Sequence, residues 1–84
     1  MDFPLRTLVE VTWRDACTKN GWKDIDDYRE HRPVMCRTAG YLLVRNREVT
    51  VIAFTQSEGG TNADLNQSIA IPTSWILKLK VVRK

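Results

Sequence analysis

The residues from Thr38 to Ser57 constrain the fold most. They form two runs rich in β-branched, aromatic and aliphatic side chains, separated by the polar Arg45-Asn46-Arg47-Glu48. Such a pattern predicts two strands joined by a reversal. Folding the stretch at Asn46-Arg47 sets Arg45 opposite Glu48, Val44 opposite Val49, Leu42 opposite Val51 and Gly40 opposite Ala53. One face of this hairpin is then aliphatic. The other carries Leu43 opposite Thr50, Tyr41 opposite Ile52 and Ala39 opposite Phe54, with the Arg45–Glu48 charge pair at the tip. A hairpin that is apolar on both faces has to be covered twice. The set Tyr41, Leu43, Ile52 and Phe54 is therefore the expected interaction patch, and self-association is the simplest way to cover it.

The flanking residues supply three more strands and one helix. From Thr7 to Trp13 the chain alternates, with Val9, Val11 and Trp13 on one side and Leu8, Glu10 and Thr12 on the other, as in a half-buried strand. Thr18-Lys19-Asn20-Gly21 reads as a turn in which Gly21 takes positive φ. Asp24 is an expected N-cap for a short helix over Ile25 to His31, with Asp26 and Asp27 in its first turn and Arg32-Pro33 ending it. Ile25 and Tyr28 give that helix a narrow apolar stripe, to be packed on the sheet. Gly40 suggests a bulge or a close backbone approach. Residues 56–64 read as a polar loop. Ser68 to Ile71 forms a short strand, Pro72 to Trp75 a single turn, and Ile76 to Val82 a last strand with Leu77, Leu79 and Val81 on one face and Lys78 and Lys80 on the other. Trp13 and Trp75 flank apolar strands, which favours core positions for both.

At 84 residues the chain is one domain with a single, thinly stabilised core. Residues 1–31 hold five Lys and Arg against seven Asp and Glu, whereas residues 32–84 hold eight against three. An uneven balance of this kind suits anionic ligands or the pairing of subunits. Cys17 and Cys36 stand without a CxxC spacing or a histidine cluster and read as two buried free thiols. No apolar run approaches the ~18 residues of a membrane span, so a cytoplasmic protein without membrane contact is expected.

Five short strands with a one-turn corner before the last most easily close as a small SH3-like five-stranded antiparallel barrel, mainly β, with one short helix inserted after the first strand. Ile69-Ala70-Ile71-Pro72-Thr73-Ser74-Trp75-Ile76 resembles the Ile-Pro-x-x-Tyr-Val corner that precedes the last strand of SH3 domains, although their acidic aromatic peptide-binding loop is not recognisable here. A wider set, Trp13-x-Asp15-Ala16, Gly21-Trp22, Asp26-Asp27-Tyr28, Thr38-x-Gly40-Tyr41-Leu42-Leu43, Val49-x-Val51 and Ile71-Pro72-x-x-Trp75-Ile76, resembles a group of short proteins encoded by bacterial viruses and prophages. That resemblance implies an accessory protein in the host bacterial cytoplasm, of the kind that counters bacterial defence by sequestering a nucleotide signal or by blocking a host protein.

Side-chain chemistry favours binding over catalysis. His31 beside Arg32 has no acidic or nucleophilic partner at a telling spacing, and one His with two distant Cys does not make a four-ligand metal site, so neither catalytic residues nor a metal or cofactor are expected. Ser57-Glu58-Gly59-Gly60-Thr61-Asn62 has the composition of a phosphate cradle but lacks the lysine and following helix of a P-loop. Arginine forks hold phosphates and aromatic rings stack on bases. Trp22, Tyr28, Arg37, Arg45 and Arg47, converging at subunit seams of a homo-oligomer, are the expected site for a nucleotide-type ligand. The alternative is a small barrel that binds nucleic acid, with Lys78, Lys80, Arg83 and Lys84 on the phosphates.

Overall fold

A computed structural model describes residues 7–57 and 65–84. The fold is mainly β. Its elements in chain order are β1 (Leu8–Asp15), α1 (Ile25–Arg29), β2 (Val34–Arg45), β3 (Val49–Gln56), β4 (Leu65–Pro72), a 3-10 turn (Thr73–Trp75) and β5 (Ile76–Arg83). All five strands form one antiparallel sheet in the order β4-β3-β2-β1-β5, the strand order of an SH3-like fold, with the short helix after β1 as expected. Strands β4 and β5 are its two edges.

Covalent geometry requires this sheet to curl. Laid flat, β4 and β5 would sit four strand spacings, about 19 Å, apart. The chain from Pro72 to Ile76 spans at most ~14 Å. Yet Pro72 pairs with Val49 on one side of the sheet and Ile76 with Trp13 on the other. The 3-10 turn thus draws the two edges together over the inner face. Inside lie Val9, Val11 and Ile52 at 0% exposure, Ile71 at 1% and Trp13 at 7%, with Cys36, Leu42, Ile69, Ile76 and Leu79 packed against them. The buried indole N–H of Trp13 donates to Thr38 Oγ1 at 3.0 Å, so its burial leaves no donor unpaired.

Gly40 is the close approach that the sequence suggests. A Cβ placed there would lie 2.5 Å from the Ala53 carbonyl oxygen and 2.6 Å from Ile52 Cγ2. Here β2 faces Val9 of β1 on one side, and one residue later pairs with Ala53 of β3 on the other. Beyond the Tyr41–Ala53 pair, the ends of β3 and β4 pair only with each other, through Thr55–Asn66 and Gln56–Leu65. They form a two-stranded ribbon carrying the exposed Phe54 and Leu65, and the molecule measures 58 × 22 × 20 Å.

Several sequence-derived expectations are corrected. The β2–β3 register is Tyr41–Ala53, Leu42–Ile52, Val44–Val51 and Arg45–Thr50, with a shift between Leu42 and Val44 that leaves Leu43 as the extra residue. The turn is longer than two residues because Asn46 Oδ1 accepts from the N–H groups of Glu48 and Val49, both at 2.9 Å. Arg45 therefore faces Thr50 and not Glu48. The shift also splits the expected patch. Ile52 turns inward beside Leu42 and is fully buried, Tyr41 is half-buried beside Ala53, Leu43 is half-buried in the irregularity, and Phe54 remains exposed on the ribbon. A second shift, between Thr12 and Trp13 along β5, turns Ile76 inward in place of Leu77, which is 52% exposed. Trp75 is 39% exposed and lies outside the core. Strand β4 begins at Leu65, earlier than expected, through Gln67 at φ 65°. Cys17 and Cys36 are free, as expected, but half-buried rather than buried.

Asp24 does cap α1, accepting from the Asp27 N–H at 3.0 Å, and Gly21 has φ +104°. The helix is shorter than predicted and none of its residues is buried, with Ile25 63% exposed. It stands off the sheet instead of packing on it. Local bonds hold it: the Tyr28 hydroxyl donates to the Gly21 carbonyl, and Lys19 Nζ donates to the Asp27 carbonyl at 3.0 Å.

At the opposite side of the turn, Thr73 ties the β2–β3 tip to the 3-10 corner. Its N–H donates to the Glu48 carbonyl at 3.1 Å, and its hydroxyl donates to the Asn46 carbonyl at 2.7 Å while accepting from Thr50 Oγ1 at 3.0 Å. Thr50 is fully buried. Thr73→Val strands that hydroxyl without a partner and should cost about 2 kcal/mol, whereas Thr50→Val removes only one bond and should cost about 1 kcal/mol. Urea denaturation of both variants checks the order, and an equal or reversed ranking would refute the assigned donor directions.

Candidate binding face

The outer face of the β2-β1-β5 half is set by strand register. Directly paired residues project to the same side of a sheet. Thr12 pairs with Arg37 on β2 and with Lys78 on β5; Glu10 pairs with Ala39 and Lys80; Arg14 pairs with Met35; Leu8 pairs with Tyr41 and Arg83. The alternation that buries Val9, Val11 and Trp13 thus sends Arg14, Arg37, Lys78, Lys80 and Arg83 to one outer face, with Glu10 as the acidic residue among them.

Spacing on this face suits phosphate groups. Arg37 and Lys78 flank Thr12 at two strand spacings, roughly 10 Å between Cα atoms, and Lys78 and Lys80 are about 6.7 Å apart along β5. Glu10, Thr12, Met35, Arg37, Leu77, Lys78 and Lys80 line an open concavity of about 400 Å³. Arg14, Arg37, Lys78, Lys80 and Arg83 are all exposed. Among the described residues the ion pair is Arg29–Asp26 at 3.6 Å, so no cation of this face is neutralised by direct contact with a carboxylate. Charges held side by side without partners raise the local positive potential and attract anions.

The five residues expected to bind ligand do not converge within one chain. Trp22 is fully exposed in the β1–β2 insertion, Tyr28 lies on α1 with its hydroxyl on Gly21, and Arg45 and Arg47 sit exposed at the β2–β3 tip. No hydrogen bond joins any of them. Arg37 alone of the five lines the outer concavity. The Ser57–Asn62 phosphate-cradle expectation falls, beyond Ser57, outside the described residues. Arg14 escaped notice, although the alternation Leu8, Glu10, Thr12 extends to it by one further step and places it with the polar face.

A thiol–imidazole contact was also invisible in the sequence. Cys17 Sγ lies 3.1 Å from His31 Nε2 and 3.4 Å from the Arg32 carbonyl oxygen. Fourteen residues separate the pair with no motif to mark it. The contact clasps the two ends of the insertion together. Among the described residues nothing hydrogen-bonds the other ring nitrogen, so the third member of a nucleophile–base–orienter arrangement is missing there. Among the described residues, no group of three or more His, Cys, Asp or Glu is placed to hold a metal ion, and no helix is long and apolar enough to cross a membrane. Compared with family models, curated proteins and solved structures, the chain finds no match in any of the three.

Proposed function

We propose that this protein is a non-catalytic binding protein whose outer sheet face holds phosphate-rich ligands, with single-stranded nucleic acid as the ligand the geometry favours. The observation that carries this reading is the juxtaposition of Arg37, Lys78 and Lys80 around Thr12, with no carboxylate in ion-pair contact with them among the described residues even though Glu10 lies opposite Lys80. The face is open and extended, and Arg14 and Arg83 continue it in both directions along the strands. An open row of cations matches a chain of phosphates better than a single one, while Met35, Leu77 and Tyr41 offer apolar surface to bases. The resemblance of the sequence to phage-encoded accessory proteins supports a setting in the bacterial cytoplasm. A role against host defence rests on that resemblance.

One observation supports a second reading, sequestration of a nucleotide. The concavity around Arg37 is within the volume range of small-molecule sites. Fluorescence anisotropy with a labelled oligonucleotide and with a labelled mononucleotide, over a salt series, separates the two. The polymer reading predicts affinity for the oligonucleotide that falls steeply with salt. Lys78→Gln/Lys80→Gln should weaken it roughly 30-fold at low salt and reduce the salt slope by about 1 to 2. Tight mononucleotide binding with little salt dependence would instead support sequestration. No binding of either probe at low salt would overturn both.

A further inference from the structure

We propose that Cys17 is a modification site whose thiol exchanges with small disulfides while His31 takes up the proton that the sulfur gives up. Sγ lies 3.1 Å from His31 Nε2 and 3.4 Å from the Arg32 carbonyl oxygen. The thiol thus has two acceptors in reach for its proton. In the tautomer that leaves Nε2 unprotonated, the ring is the acceptor that can carry the proton away, and it is also the nearer. A thiol paired with an imidazole in this way is an activated nucleophile.

Backbone bonds hold both partners in place. The His31 N–H donates to the Tyr28 carbonyl at 3.1 Å, and the His31 carbonyl accepts from Arg32 Nη1 at 3.1 Å. Pro33 follows directly and restricts the exit of the chain. Cys17 comes two residues after the end of β1, so the sheet sets its position. Both side chains are half-buried and line an open cleft of about 230 Å³ with Ala16, Arg32 and Pro33. Cys17, His31 and Arg32 are the titratable and charged groups of this cleft. Its volume is below the roughly 300 Å³ at which ligand pockets begin, which suits the reacting end of a small molecule.

The absent third group decides what the pair can do. Among the described residues nothing orients the imidazole through its other nitrogen, and acyl-transfer turnover would also require donors for an oxyanion. Attack on a disulfide builds no oxyanion. Cys17 Sγ attacks one sulfur of the small disulfide, the new S–S bond forms as the old one breaks, and the departing thiolate takes the proton from His31. Cys17 is oxidised and the departing half is reduced, so the disulfide is the one co-reactant. This chemistry modifies the chain once and does not turn over.

Cys36 provides a comparison within the same molecule. It packs against the core, and its thiol faces the Val34 carbonyl at 3.8 Å, with no basic group in hydrogen-bond reach among the described residues.

The test is the rate of mixed-disulfide formation with glutathione disulfide, read at each cysteine by peptide mass mapping after acid quench. At pH 7 Cys17 should react about tenfold or more faster than Cys36. His31→Gln keeps a side chain that can hydrogen-bond the sulfur but cannot take its proton, and should slow Cys17 about tenfold. At about pH 10 hydroxide ionises a thiol unaided, so wild type and variant should then agree within about twofold. A Cys17 no faster than Cys36 at pH 7 overturns the proposal, and that comparison needs no variant. So does an unchanged Cys17 rate in His31→Gln at pH 7. A deficit of the variant that persists undiminished at pH 10 also overturns it, because His31 would then act on the cleft's structure alone.

Discussion

Ile52→Ala is expected to destabilise the fold by about 4 kcal/mol, the largest effect of any conservative truncation in this chain. Ile52 is fully buried in contact with a core built from β1, β3 and β4, and its β2 neighbour Leu42 packs on the same cluster. Truncation removes three carbons from the centre of an inner face whose curvature is fixed by the short 3-10 tether. The walls therefore cannot close over the gap, and the cavity term adds to the lost transfer energy. A domain of this size has a margin of the same order. Urea denaturation followed by tryptophan fluorescence should show the variant largely unfolded in dilute buffer, with Ile52→Val losing only about 1 kcal/mol. A loss below about 1 kcal/mol for Ile52→Ala would contradict the inward placement of this residue. It would favour the alternative register in which Ile52 lies on the exposed patch beside Tyr41.

Gly40→Ala should follow closely, at about 3 kcal/mol and a fall in Tm of roughly 12 to 20 °C. The added methyl meets a backbone carbonyl, Ala53 O at 2.5 Å, as well as Ile52 Cγ2 at 2.6 Å. A side chain can change rotamer, but a carbonyl held in a strand cannot withdraw without moving β3. Differential scanning calorimetry checks the size of the shift. A neutral outcome would mean that β2 and β3 are further apart at this point than their pairing implies.

Both substitutions lie in the stretch from which the fold was most legible, and they mark where legibility ended. Alternation in β1 placed Val9, Val11 and Trp13 correctly, because a strand with one buried face has a period that no local detail disturbs. The Asp24 cap, the positive φ of Gly21 and the tight space at Gly40 were likewise local facts with local signatures. The hairpin faces failed for the complementary reason. A single extra residue at Leu43 and the Asn46-capped turn altered the register, and a one-residue slip reverses every side chain beyond it. When both faces are apolar, nothing in the pattern reveals the slip. The same holds at Leu77, where Ile76 and Leu77 are interchangeable by hydropathy and only the pairing with Trp13 decides which turns inward.

The candidate face was partly readable on the same terms. Lys78 and Lys80 could be assigned to one side of a strand, but their neighbours Arg37 and Arg14 depend on which strands lie side by side. That is a property of topology, and no spacing along the chain encodes it.

The pairing of Val9 with Val81 joins residues near opposite ends of the described chain. Strand β1 is flanked by β2 and β5, so one of its two ladders cannot form until residues 76–83 are available. Contacts of such long sequence separation require much chain entropy to be lost before they form, and folds dominated by them form slowly. During synthesis, the β1–β2 and β3–β4 hairpins can pair as they leave the ribosome, while the inner face of β1 stays uncovered on its β5 side. Until the 3-10 corner carries the final strand across to β1, the core lacks its β5 wall. Stalled or shortened chains lacking β5 should therefore behave as sticky intermediates rather than as smaller folded proteins.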